Sequence, residues 1–526
     1  MKIVIFIVVF LCNICLAQRP KASFKVLFSN DFTNISSCVS PYHEKGQQWS
    51  PDILKATVDE TAGTGIQVHM LQPAHGWVPW WPSEVYPMTE HYEWWKEYFG
   101  VDIPKYPEQE YVLYGGDPLK VFVDKCRKDN LKPFISFRMN DGHHLENINK
   151  EGNKTGAHAI CKFYAEHPEY RIGDDVKSWD EHVQNWAVSE VRAYKFKLLR
   201  EICENYDIAG LELDFMRHFS LFQLDKTTSA QRRKIMTGFI ATVRSLLDKT
   251  SRDGKYRWLC VRVPCYLYMH DMLGVDLAAW TKAGVDMVNL SPHYFTVFDS
   301  DIGEIAKRIP DYPVYLEMCH TTYVGKSVAK GYDSFTFRRT TPEQYYTAAH
   351  LAYSRGAAGI SAFNFVYYRE HGNGERGPFS EPPFFIFEHI GDPDWVAQQP
   401  QDYVLAKNWL RKKLLKFDKS GDSQNFKMDM APTRGGWKTD GKLRMQAVND
   451  LLDSVFTAKA NGIILKPAGD VSEPYPNPYS PLLGDESVHR GWIVPKEILE
   501  DGVNEFEIIM KTGGKTTVDY INLAIK

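Results

Sequence analysis

The stretch GLELDFMRH, Gly210 to His218, carries the most chemically pointed spacing in the chain. Read as a strand, its period of two sets Glu212 and Asp214 on one face and Leu211, Leu213 and Phe215 on the other. Two inward carboxyl groups are costly to desolvate unless paired or hydrogen-bonded. Arg217, just downstream, is the expected partner; the alternative is a structural ion pair with Arg138 or Arg262. A further acid, Glu317, ends the run PVYLEMCH on the same face as Tyr315 and Cys319. Two acids flanking one glycosidic oxygen divide the work, one protonating the leaving group and the other acting as nucleophile or base. If these runs are the fourth and seventh strands of a barrel, which face one another across its mouth, Glu317 is expected to pair with Asp214 or Glu212.

Other polar residues gather at the ends of apolar runs. SFRMNDGHH supplies Arg138, Asn140, Asp141, His143 and His144, and His218 closes the first motif. NLSPHYF supplies His293 and Tyr294, and FNFVYYRE supplies Asn364, Tyr367 and Arg369. Sugar hydroxyls need such mixed donors and acceptors, and arginine also suits a carboxylate or sulfate substituent. The segment HGWVPWWPSEVYP followed by HYEWWKEYF holds Trp77, Trp80, Trp81, Trp94 and Trp95. Aromatic faces suit the C–H face of a pyranose. Two or three of the five are expected to form a local core under the loop, with Trp77, Trp80 and Trp81 the candidates for substrate contact.

These residues need a scaffold, and the sequence supplies one. From about Phe24 to Phe365, short β-branched or aromatic runs alternate with amphipathic segments of helical period, the signature of parallel βα units. The runs are FKVLFS, GIQVHML, KPFISFRM, IAGLELDF, RWLCVRV, VDMVNLS, PVYLEM and GISAFNF, enough for a (β/α)8 TIM barrel. Between them, Ile235, Phe239, Ile240, Val243, Leu246 and Leu247 form one helical stripe. Thr341-Pro342 with Gln344, and Asp117-Pro118, read as helix starts. The long connections from Gln72 to Gly116 and from Asn140 to Val188 follow strands and are expected to build the substrate face. A domain boundary is expected near 395, after a Gly-, Pro- and Phe-rich stretch. Beyond it come one helix, Val404 to Leu415, and short strands ending in Trp492 to Pro495, Phe506 to Ile509 and Val518 to Ile525. That ending resembles the closing strands of jelly-roll β-sandwich modules of secreted glycosidases.

The acids and their setting resemble a known group. Secreted (β/α)8 glycoside hydrolases, including the family-10-like proteins, carry acids at the ends of strands four and seven. The Gly-x-x-x-Asp-x-x-Arg shape of Gly210 to Arg217 is similar to their fourth-strand motif. The resemblance implies a poly- or oligosaccharide substrate, with Glu317 as nucleophile and Asp214 or Glu212 as acid/base. This chain departs from the best-known pattern, where Asn directly precedes the fourth-strand Glu, because Leu211 stands there. A plant or algal galactan is the substrate suggested by the Arg-rich strand ends. The rival readings are a non-catalytic carbohydrate-binding barrel and a metal-dependent barrel hydrolase. Barrel amidohydrolases resemble one another in a His-x-His pair ending strand one. Here that strand ends Ser29-Asn30-Asp31, and no HExxH occurs. No metal and no cofactor is expected.

Composition bounds the rest. The 526 residues, 44% hydrophobic, with 62 Lys plus Arg against 66 Asp plus Glu, fit a multi-domain globular chain rather than a collagen, coiled coil or disordered segment. Without a basic excess or Lys/Arg run, no nucleic-acid partner is expected. Lys2, the apolar run Ile3 to Leu11 and the small residue Ala17 read as a secretory signal peptide over 1–17, which predicts a secreted or periplasmic protein. No other apolar run approaches about 18 residues, so no transmembrane segment is expected. The seven cysteines after the signal have no metal-type or dense disulfide spacing, and most are expected to be buried thiols.

Overall fold

The computed structural model describes residues 19–32, 35, 47–73, 75–102, 106–324, 337–368, 382–407, 414–476 and 487–526. The signal segment, Cys38 and Arg369 lie outside the described residues. Seven parallel strands follow one another as β1 (Val26–Asp31), β2 (Val68–Gln72), β3 (Lys132–Arg138), β4 (Gly210–Asp214), β5 (Trp258–Pro264), β6 (Met287–Ser291) and β7 (Val314–Cys319). A hairpin, β8 (Thr321–Val324) and β9 (Phe337–Arg339), then precedes the eighth barrel strand, β10 (Gly359–Phe363). The order β1-β10-β7-β6-β5-β4-β3-β2 closes the sheet into a (β/α)8 barrel, and each of the eight expected runs supplies one strand.

The helices form where the sequence signals place them. Thr341 caps the helix Pro342–Ser354 in a reciprocal capping box with Gln344, and Asp117 caps Pro118–Lys128 through Lys120 N–H. The helix Ser229–Lys249 buries Phe239, Ile240, Val243, Leu246 and Leu247 against the barrel wall, with Ile235 half-buried at the edge of the stripe. Leu211, Leu213 and Phe215 join that same outer core, so the remaining alternate residues of β4 point into the barrel.

The barrel interior changes character along its axis. Leu27, Val68, Met70, Phe134, Cys260, Met287 and Tyr315 form a separate apolar cluster at the N-terminal end of the strands. Gly210 is required there, because a Cβ would meet Cζ of the Phe134 ring at 2.5 Å. Two residues further along, inward positions become polar. Ser136, Glu212 and Cys260 are register partners across β3, β4 and β5, and the next inward set is Arg138, Asp214 and Arg262.

The C-terminal region is a β-sandwich of antiparallel sheets. Its strands are β11 (Gln401–Ala406), β12 (Leu415–Phe417), β13 (Ser423–Met430), β14 (Gly441–Ala447), β15 (Val455–Ala460), β16 (Ile463–Ile464), β17 (Lys466–Pro467), β18 (His489–Val494), β19 (Gly502–Thr512) and β20 (Thr516–Ile525). One sheet runs β11-β20-β14-β18-β17, with β12 also on β20; the other runs β13-β19-β15-β16. A helix is expected over Val404 to Leu415, but Val404 to Ala406 belong to β11, paired with Asn522 to Tyr520 of β20, and Leu415 opens β12; residues 408–413 lie outside the described residues. Helical periodicity is outweighed there by pairing with a long partner strand, β20. Six thiols, at Cys126, Cys161, Cys203, Cys260, Cys265 and Cys319, are free and buried. Among the described residues no helix is long and apolar enough to cross a membrane.

Candidate active site

The polar half of the barrel is organised around Arg262. Its Nε and Nη2 donate to Glu317 Oε2 at 2.5 Å and Oε1 at 2.7 Å, a bidentate fork, while Nη1 donates to Asp214 Oδ1 at 2.9 Å. Nη2 also reaches Ser291 Oγ at 3.0 Å, and the guanidinium lies 3.9 Å from the centre of the Phe363 ring. β5 thus inserts one cation between an acid of β4 and an acid of β7. The guanidinium that pairs Asp214 is Arg262; Arg217 instead donates to His143 Nε2.

Each acid has a different set of donors. Asp214 also accepts from Gln72 Nε2 at 3.0 Å and Met216 N–H at 2.8 Å, which with Arg262 makes three donors. Glu317 accepts from Ser291 Oγ at 2.6 Å; burial pushes its proton affinity upward, against the pull of Arg262. Glu212 lies below Asp214, holding Ser136 Oγ at 2.6 Å and Asn289 Nδ2 at 3.0 Å, with no guanidinium among its hydrogen-bond donors. Burial, followed by the Asp214 charge, pushes Glu212 up to about 7. The cluster therefore sets one carboxyl group that titrates near neutrality beside two acids in contact with a guanidinium. The hydroxyls of Ser29 and Ser361 and the Asn289 side-chain carbonyl line this layer without a partner among the described residues.

Above this layer, the loops after β2, β3 and β4 converge on Asp141. Arg138, held by Gln72 Oε1 at 2.7 and 3.1 Å, donates to Asp141 Oδ2 at 2.7 Å. His143 Nδ1 bonds to Asp141 Oδ1, and His75 Nδ1 lies 3.4 Å from Oδ2. Burial works to raise Asp141, but His143 and Arg138 hold it well below the usual carboxylate range. Burial in turn lowers His143 to about 3 and His158 to about 2, and takes His218 well below its ordinary value. His75, Asp141 and His143 each offer a ligand atom within 4.8 Å of the other two.

The remaining expected site residues divide. His218 accepts Gly142 N–H at Nδ1 and is buried beside Asp141. His293 reaches the acid cluster through its carbonyl, 3.3 Å from Arg262 Nη2; Tyr294 and Tyr367 pack on His320. Asn140 is spent on the loops, donating to Gln184 and Ser220 carbonyls and accepting Gln184 N–H. His144, His218, His293 and Asn364 have φ of 64, 59, 80 and 50°, all in the loops following β3, β4, β6 and β10. Left-handed backbone at non-glycine residues is costly and gathers where loops are shaped for function.

All five tryptophans of the aromatic segment are buried, which revises the expected division between core and sugar face. Trp77 is 1% exposed with its indole N–H on the Asp141 carbonyl, and Trp81 is 2% exposed with its N–H on Glu201. Trp80, at 6%, lies against Phe32 and His75. An open aromatic face near these loops is offered by Trp179, 51% exposed and stacked on His218 at 3.8 Å. Trp179 and His158 lie far from any strand in sequence and carry no signal there. Gln72, Ser136, Asn289 and Ser291 were findable, since the alternation that picked out Glu212 and Asp214 puts each on an inward face.

No family model matches the chain, and no curated protein matches it in sequence. Among solved structures, the endo-β-1,4-mannanase from Thermotoga petrophila is similar at 11% identity and a TM-score of 0.44, covering 95% of this chain and 98% of that one. The α-amylase from Geobacillus thermoleovorans in complex with acarbose is similar at 13% identity and a TM-score of 0.39, over 94% and 100% of the two chains. An α-L-fucosidase, isoenzyme 1 from Paenibacillus thiaminolyticus, is similar at 12% identity and a TM-score of 0.37, over 93% and 97%.

Proposed function

We propose that the protein is a secreted glycoside hydrolase that cleaves a poly- or oligosaccharide with carboxylates at the ends of β4 and β7. The observation that carries this reading is the convergence of Glu212, Asp214 and Glu317 on Arg262 and Asn289 at the C-terminal end of the barrel. Glu317, held in a bidentate fork, is oriented as nucleophile. Proton donation falls to the β4 pair: Glu212, pushed up to about 7 by burial, exchanges its proton near neutral pH, and Asp214 stands nearest the mouth. Trp179 offers a face for a sugar ring. Arg138 and Arg262 spend their forks on protein acceptors, which favours neutral ring hydroxyls over a sulfate or carboxylate substituent.

A second reading, a carbohydrate-binding barrel without catalysis, is supported by one feature: Arg262 satisfies both Asp214 and Glu317 as a structural bridge would. Reducing-end release across plant and algal polysaccharides separates the two. Wild type should release ends from at least one polymer. Glu317→Gln should lose about 10²–10⁴-fold in rate on it, as should whichever of Asp214→Asn and Glu212→Gln removes the acid. Cleavage unchanged in all three variants would refute the carboxylate assignment, and glycan binding without release by wild type would establish the second reading.

A further inference from the structure

Six of the 17 histidines, His75, His143, His144, His158, His182 and His218, come together from the loops after β2, β3 and β4. His75 packs on His158 at 4.8 Å between ring centres, His158 on His144 at 4.4 Å, and His143 on His218 at 5.3 Å. One carboxylate, Asp141, is fully buried at their centre, while His75 and His143 keep 14% and 22% of their side chains open to the mouth. Nothing in the acid cluster below uses these imidazoles.

We propose that His75, Asp141 and His143 form a binding site for a borderline first-row divalent cation, with Zn²⁺ as the reference ion. The donor set is two imidazoles and one carboxylate, each with an atom within 4.8 Å of the others. Ligands about 2.0–2.2 Å from one ion fall within that spread, and nitrogen-rich sets select Zn²⁺-like ions over the all-oxygen preference of Ca²⁺. The surroundings suit an outer shell. The Asp141 carbonyl is fixed by Trp77 Nε1 at 3.0 Å, and Arg138, anchored on Gln72, braces Oδ2. The site has orphaned imidazole nitrogens at its edge: His158 Nδ1, His182 Nε2 and His218 Nε2 are buried with no partner among the described residues.

The tautomer of His143 decides how the ion enters. Arg217 donates to Nε2, which leaves the ring proton on Nδ1, facing Asp141 Oδ1. An ion on Nδ1 requires that proton to move to Nε2, and Arg217 must then swing away; the ring stays neutral and no net proton is released. Arg217 is thus a competing cation. The ion would tie the β2 and β3 loops together and raise the melting temperature by mass action.

The test is independent of the glycosidase reading, because it needs no substrate. The full chain, stripped with chelator, is titrated with Zn²⁺, Ca²⁺ and Mg²⁺ by calorimetry and by thermal melting. One Zn²⁺ per chain should bind saturably, with little Ca²⁺ or Mg²⁺ uptake. His75→Asn and His143→Gln, both partly exposed positions whose metal-free melting checks folding, should each weaken Zn²⁺ at least about tenfold. Arg217→Gln, whose side-chain oxygen accepts from Nε2–H, should tighten it. Absence of saturable Zn²⁺ binding, Ca²⁺ binding as tight as Zn²⁺, or equal affinity in wild type and both histidine variants would each overturn the proposal.

Discussion

On the same eight strands, the inward positions at the N-terminal end are Leu27, Val68, Met70, Phe134, Met287 and Tyr315, and those further along are Gln72, Ser136, Glu212, Asp214, Arg262, Asn289, Ser291 and Glu317. Both sets are buried, yet they are held by different physics. The lower set gains from burial in proportion to apolar area and needs only to fill space. The upper set loses its hydration and recovers it through a directional network in which the acids share Arg262 and Asn289 and each adds further donors. A polar layer of this kind gives a barrel no more stability than apolar packing would, so stability alone does not account for its presence.

The sharpest way to break that contrast is to fill the upper layer as the lower one is filled. Arg262→Leu leaves Glu317 and Asp214 facing one another without a cation, and unfolding in urea should show a loss of about 3–5 kcal/mol. Arg262→Lys, which keeps the charge but not the fork, should lose less. A loss below about 1 kcal/mol in the leucine variant would mean that the two halves tolerate apolar filling alike.

The pH dependence of stability separates the halves next. Glu212 is raised from 4.5 to about 7, so the folded state binds the extra proton between those values. Its stabilisation is complete below about pH 4.5 and is lost as pH rises through 7, at about 1.4 kcal/mol for each unit of elevation. Asp402 in the sandwich, raised to about 6 by burial, contributes with the same sign but is spent by then. Glu212→Gln should therefore flatten the fall in chemical-denaturation stability between pH 6 and 7. An unchanged slope would place the neutral titration elsewhere.

How much of this contrast is visible without coordinates depends on its range along the chain. The strands and the parity of Glu212 and Asp214 are local patterns and could be read directly, as could the Thr341 and Asp117 caps. Long-range pairing could not: Arg262 stands as close in sequence logic to Glu317 as Arg217 does to Asp214, and only strand register decides between them. The histidines around Asp141 come from 75 to 218 with no ligand spacing, and Trp179 comes from a loop whose fold is set by tertiary packing. Val404 to Ala406 failed for the same reason, since β20 decides their conformation. The aromatic segment announced hydrophobic content but not direction; its tryptophans turned inward because the helix Met88–Phe99 packs Trp94 and Trp95 under the loop.

A packing change in the lower half should be smaller and pH-independent. Gly210→Ala drives a methyl into the Phe134 ring and should cost about 1–3 kcal/mol. Phe134→Leu in the same chain should recover part of that loss, because the two positions share one space. Equal losses at pH 5 and pH 8 would fit the apolar assignment; a loss confined to one pH would tie Gly210 to the acids above it.

The finest distinction lies at Ser136, where the two layers meet on β3. Its hydroxyl donates to Glu212 Oε1 at 2.6 Å and pulls the Glu212 proton affinity down against burial. Ser136→Ala removes one hydrogen bond and leaves little space, so the expected loss is only about 0.5–1.5 kcal/mol. The direction of the pH effect carries more information than its size. Without the hydroxyl, Glu212 holds its proton more tightly, so the fall in stability should shift to higher pH than in wild type. A purely space-filling serine would leave that midpoint where it was, and the polar layer would then begin one residue pair higher, at Arg138 and Asp214.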